Sequence, residues 1–122
     1  MSPAARRRAF RRGHSAELLC LWHLRLRGYR ILERRFRVKS GEIDLIARRG
    51  RVLAAIEVKA RDSIAAANAS ISRHQRRRIA RALAHFMATR PALAGLTLRF
   101  DVMLVAPGRL PQHITDAWQE EA

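Results

Sequence analysis

This 122-residue chain has little that could staple it covalently or anchor it in a bilayer. Its one cysteine, Cys20, excludes an internal disulfide and points to a reducing compartment, so a cytoplasmic location is expected. No run of about 18 apolar residues exists, so no transmembrane helix is expected. The basic start, Met1–Gly13, lacks the apolar stretch of a secretory leader. The five histidines show no zinc-type spacing, and Cys20 has no second thiol to support it. Lysine is nearly missing, with Lys39 and Lys59 alone among 25 basic residues. Acids are also scarce: 10 Asp and Glu leave a net charge of +15. Such a surface suits a polyanionic partner. No helix pattern is both amphipathic and basic in the way a membrane surface needs, so no membrane partner is expected.

What is present is enough for a core. Forty-eight per cent of residues are hydrophobic, which excludes global disorder, and the length suits one domain. Residues 1–12 read as a flexible basic arm ended by Gly13, and residues 13–122 as a single domain. From Ser15 to Arg27, Leu18, Trp22 and Leu26 recur at helical spacing with Leu19 beside them, so Trp22 is expected in the core. Gly28 stops that helix. Three strands follow, at Tyr29–Val38, Glu42–Arg48 and Arg51–Ala60, with Arg49-Gly50 as a hairpin turn. Arg61–Ser70 reads as a loop. A second helix covers Ser72–Thr89, and a fourth strand Leu96–Val105. His113–Glu121 reads as a short strand or turn with a frayed helical end. The order α-β-β-β-α-β predicts an α/β domain with a mixed sheet flanked by helices.

Asp44 and Glu57 stand out, because each is embedded in an apolar, β-branched strand. An even hairpin loop centred on Arg49-Gly50 pairs 48 with 51, 44 with 55 and 42 with 57. Side chains alternate with period two, so Asp44, Glu57 and Lys59 share one face. Ile43, Leu45 and Ala47 share the other. The two carboxylates are then diagonal neighbours, roughly 7–8 Å apart at the backbone, and can converge on one cation. Glu42 would face Glu57 directly. Oxygen ligands favour Mg²⁺ or Mn²⁺. Such an ion would suit phosphodiester chemistry, with Lys59 positioning water or stabilising developing charge. A cross-strand ion pair on a solvated face is the competing reading.

The run Gly41-Glu42-Ile43-Asp44-Leu45-Ile46-Ala47, followed by Ile56-Glu57-Val58-Lys59-Ala60-Arg61, resembles the YraN family of small bacterial proteins. Ala16-Glu17, Gly28-Tyr29, Arg78-Ile79, Arg99-Phe100-Asp101-Val102 and His113-Ile114 extend the resemblance over most of the chain. That family is similar to Holliday-junction resolvases, with the restriction-endonuclease-like PD-(D/E)xK fold. The resemblance implies a metal-dependent nuclease core of Asp44, Glu57 and Lys59. It further implies Glu17 and the Val58 backbone carbonyl as metal ligands, and Gln75 close to the active site. It allows a homodimer, with no interface specified by the sequence.

Arginine clusters at Arg34-Arg35, Arg48-Arg49 and Arg76–Arg78, together with Arg61, are expected to bind nucleic acid, with DNA the expected partner. Arg6–Arg8 and Arg11-Arg12 add to this in the arm. No base-reading motif is present, so backbone- or structure-selective binding is expected. Two functions remain: a Mg²⁺-dependent endonuclease acting on branched or repair DNA, or a non-catalytic nucleic-acid-binding module on the same fold. A pure binding module gains nothing from two phosphate-repelling carboxylates on one face.

Overall fold

The computed structural model describes residues 3–119, and side chains from residue 15 onward. The arginine side chains of the expected arm and the acidic end, Glu120 and Glu121, lie outside the described residues. The first helix, α1, runs Pro3–Leu26 without a break at Gly13. Alanine and arginine, both strong helix formers, dominate residues 4–12 and outweigh a single interior glycine.

Strands β1 (Arg30–Val38), β2 (Gly41–Arg49) and β3 (Val52–Ala60) follow. A short helix α2 (Ile64–Ala69) replaces the expected loop, with the Ser63 hydroxyl accepting from the Ala66 N–H at its start. Its alanines are a helix signal that short length disguises. Helix α3 (Arg73–Ala88) is capped by Ser72, whose hydroxyl accepts from Gln75 N–H. Strands β4 (Thr97–Val105) and β5 (Gln112–Trp118) complete the chain. The result is a mixed α/β architecture: one five-stranded sheet in the order β1-β2-β3-β4-β5, flanked by helices. β3 and β4 are parallel, and the other neighbours are antiparallel.

Each face of the sheet carries its own core. Ile79, Ala82, Leu83 and Phe86 of α3 pack with Ile43, Ile46, Leu53, Ala55, Phe100 and Val102. Cys20 and Leu24 of α1 pack with Leu45, Ala47, Ala54, Ile56 and Met103 on the other face. The buried seam of α1 is Ala16, Cys20, Leu21 and Leu24, whereas Trp22 is 58% and Leu26 87% exposed. Both seams have helical spacing, and periodicity alone could not choose between them.

The alternation of β2 breaks at one residue. Ile43 and Ile46 share the α3 face, while Leu45 and Ala47 share the α1 face. The expected grouping of Ile43 with Leu45 is thus corrected. The break falls at Asp44. β1 pairs Arg34 with Leu45 and then Phe36 with Ile43, skipping Arg35 and Asp44. Arg35 has φ 50, in the left-handed region that a branched-free but bulky residue rarely occupies. On the other side, β2 leaves β3 after the pair Leu45–Ile56. β3 continues alongside β4 to Ala60–Val105. The two strands therefore fork, and Asp44 stands at the fork.

Candidate metal centre

The fork opens a cleft of about 260 Å³ lined by Glu17, Glu42, Asp44, Glu57, Val58, Lys59 and Gln75, with Ala16 and Ala60. α1 supplies one wall through Glu17, and α3 supplies the other through Gln75. The hairpin register explains the convergence on β2 and β3. Arg49 pairs with Val52, so the turn is Gly50-Arg51, one residue later than expected. Gly50 takes φ 60, a conformation that favours glycine. The loop is still even, but the register moves by two, so Leu45 pairs with Ile56 and Asp44 lies just past that last pair, as Glu57 does on β3.

The splayed backbone is satisfied by the site itself. Val58 N–H donates to Asp44 Oδ2 at 2.9 Å. That carboxylate takes the place of the missing ladder partner on β2. Gln75 Nε2 donates to Glu57 Oε2 at 3.1 Å. The Asp44 backbone N–H also favours the ionised Glu57 carboxylate.

The electrostatics follow from burial and from carboxylates crowded together. Burial and then the Asp44 charge push Glu57 up from 4.5 to about 8, with Lys59 pulling the other way. Burial raises Asp44 too; the Val58 N–H opposes that, Glu17 adds to it, and Lys59 opposes it. Burial, helped by Asp44 and Glu17, pushes the Cys20 thiol up to about 12. Burial and like charges thus disfavour full ionisation of this pocket, and Lys59 offsets them only in part.

Glu17 lines the cleft, but its carboxylate is held by Arg35 Nε at 2.7 Å. Glu42 sits at the exposed rim with Arg37 at 3.2 Å, not opposite Glu57. Among the described residues no three His, Cys, Asp or Glu side chains form a ready-made metal cage. Two carboxylates fit Mg²⁺ nonetheless, because that ion usually keeps several waters and takes one or two carboxylates plus substrate phosphate. In an extended strand the N–H and C=O of one residue point to the same side. The Val58 carbonyl therefore faces the fork with its N–H.

The arginines expected on nucleic acid are dispersed. Arg34, Arg61 and Arg77 are exposed, and Arg78 is half-buried. Arg35 is tied to Glu17. Arg76 is stacked on Trp118, 5.4 Å from the ring centroid, so packing occupies it. Arg48 and Arg49 lie at the opposite end of the sheet, where Arg49 stacks on Tyr29 at 4.5 Å.

One buried cluster was not anticipated as a unit. Asp101, fully buried, accepts from Arg99 Nε and Nη2, each at 2.9 Å, and from the Asp116 N–H at 2.9 Å. His113 Nε2 lies 2.7 Å from the same carboxylate, and Arg99 reaches the Tyr29 hydroxyl. An arginine two residues away on one strand face was the only signal in the sequence. His113 comes from β5, and no local spacing announces it.

The model of the uncharacterised protein family UPF0102 matches residues 16–105. A UPF0102 protein of Parvibaculum lavamentivorans is 48% identical over 118 residues, covering 97% of this chain and 89% of that protein. One of Methylobacterium nodulans is 51% identical over 121 residues, covering 98% and 94%. One of Maricaulis maris is 52% identical over 114 residues, covering 93% and 90%.

Proposed function

The chain belongs to the uncharacterised protein family UPF0102, and from that premise we propose that it is a divalent-metal-dependent endonuclease acting on DNA, built on a restriction-endonuclease-like core. One observation carries the reading. Asp44, Glu57 and Lys59 line one cleft at the parting of β2 and β3, in a chain of net charge +15. Carboxylates at that point repel phosphate unless a cation joins them.

Asp44 and Glu57 would hold Mg²⁺ or Mn²⁺, with the Val58 carbonyl as a further ligand. A bound ion of this kind neutralises the pair, polarises the scissile phosphate and lowers the pKa of a bound water. The Val58 N–H fixes the rotamer of Asp44, and Gln75 fixes that of Glu57. Lys59 supplies a compact ammonium that orients water or stabilises charge developing on the phosphate oxygens. Glu17 joins the ligand set only by leaving Arg35. Arg34, Arg61, Arg77 and Arg78 contact phosphates around the cleft. Backbone contacts of this kind carry no sequence information, which is compatible with branched or repair intermediates as the substrates we propose. The chain has no helix long and apolar enough to cross a membrane among its described residues. A reducing cytoplasm is the compartment we assign.

Labelled branched DNA tests this with wild type, Asp44→Ala and an EDTA control. Cutting that needs Mg²⁺ or Mn²⁺ and disappears in Asp44→Ala supports the nuclease. Salt-sensitive binding with no cutting in either metal overturns it, in favour of a binding module. The engagement of Glu17 by Arg35 is the observation on that side.

A further inference from the structure

The end of the sheet remote from the cleft collects positive charge that the proposed reaction does not use. Arg30 and Arg48 are paired across β1 and β2. Arg49 precedes the β2–β3 turn and Arg51 lies in it, while Arg25 is in the last turn of α1 and Arg27 follows its end, where its carbonyl meets Arg49. None of these six is ion-paired to a carboxylate among the described residues. Among the described residues, Glu33 and Asp101 are engaged by other groups. Arg90 lies 3.9 Å from Glu33, and Arg99 and His113 hold Asp101.

The pole is also organised. Arg48 Nε donates to the Gly50 carbonyl at 3.0 Å, and Arg49 Nη1 to the Arg27 carbonyl at 3.2 Å. Arg51 Nη2 donates to the Gly95 carbonyl at 3.4 Å. Arg49 is stacked on the buried Tyr29 ring and Arg25 on Trp22. Backbone carbonyls and aromatic faces hold these guanidinium groups in place without neutralising them. Holding six like charges together costs folding energy through repulsion, which a polyanion would offset.

We propose that this arginine pole is a second phosphate-backbone site, so that the protein grips two segments of nucleic acid at opposite ends of its sheet. Six residue steps along β3 lead from Arg51 to Glu57, about 20 Å along the strand. The pole thus contacts phosphates well away from those at the cleft. This assignment rests on nucleic acid being the partner, but not on cleavage.

The test is binding of labelled branched DNA in EDTA, where nothing is cut, at salt from low to moderate. The triple variant Arg27→Gln, Arg30→Gln, Arg48→Gln is compared with wild type and with the same three changed to lysine. Each lost phosphate contact lowers the salt slope by about 0.9, so the glutamine triple should lose roughly 2–3 in slope and at least about tenfold in affinity. The lysine triple should bind near wild type and melt like the glutamine triple, which separates charge from folding. Unchanged affinity and slope in the glutamine triple overturn the pole while leaving the nuclease intact. A wild type that binds through the pole and never cuts in Mg²⁺ overturns the nuclease alone. A wild type that binds no nucleic acid overturns both.

Discussion

Two buried carboxylates sit on neighbouring strands and behave in opposite ways. Asp101 on β4 lies level with Ile56, one residue from Glu57 on β3. Burial pushes both up. For Asp101, bonds with His113 and Arg99 and the Asp116 N–H overcome it and hold the group below the usual carboxylate range. For Glu57, Lys59, the Asp44 N–H and the Gln75 amide do not outweigh burial and the neighbouring Asp44 charge, and the group sits at about 8. Burial does not decide the charge of a carboxylate; the supply of donors and cations does. Asp101 has been given its cation by the chain and clamps β4 to β5. The pair at the fork has Lys59 beside it but no such bonded partner, and on the proposed reading a divalent ion would complete its neutralisation.

The largest break in this comparison is Asp101→Ala. It strands the Arg99 guanidinium, and should cost about 3–5 kcal/mol in a denaturant melt. Asp101 stays ionised until well into acid, so it stabilises the fold at neutral pH. That contribution disappears as pH falls through its lowered pKa.

Gly41→Ala comes next. A Cβ there would overlap the Arg78 carbonyl, so α3 must shift and carry Gln75 away from Glu57. We expect a loss of about 2 kcal/mol, read from the shift in denaturant midpoint.

Glu57 reverses the sign found at Asp101. Its unfolded form gives up the proton near 4.5 and its folded form near 8, so metal-free stability falls as pH rises across that window. Glu57→Gln should match wild type at pH 5 and exceed it at pH 8 by about 1 kcal/mol, roughly 4 °C in Tm. A variant less stable than wild type at pH 8 would contradict the assignment. The smallest effect belongs to the exposed Arg37–Glu42 pair. Arg37→Ala should change stability by no more than about 0.5 kcal/mol.

The contrast was half legible in the sequence. Asp44 and Glu57 stood out because carboxylates are rare in such apolar strands, and the even hairpin loop put them on one side. Three local features were not legible. The turn sits at Gly50-Arg51, because glycine takes the positive φ where arginine would be strained. The positive φ at Arg35 accompanies its pair with Glu17 of α1, a contact between distant segments. The buried side of α1 depends on which of two equally spaced seams meets the sheet. Long-range partners such as His113 on Asp101 leave no mark in local spacing.

The claim that the forked pair awaits a divalent ion is tested most directly by thermal melts at pH 8 with and without Mg²⁺. Wild type should gain several degrees, and Asp44→Asn and Glu57→Gln should gain none, because only the intact pair binds the ion in its folded form. Equal gains in all three proteins, or no gain in wild type, would contradict it.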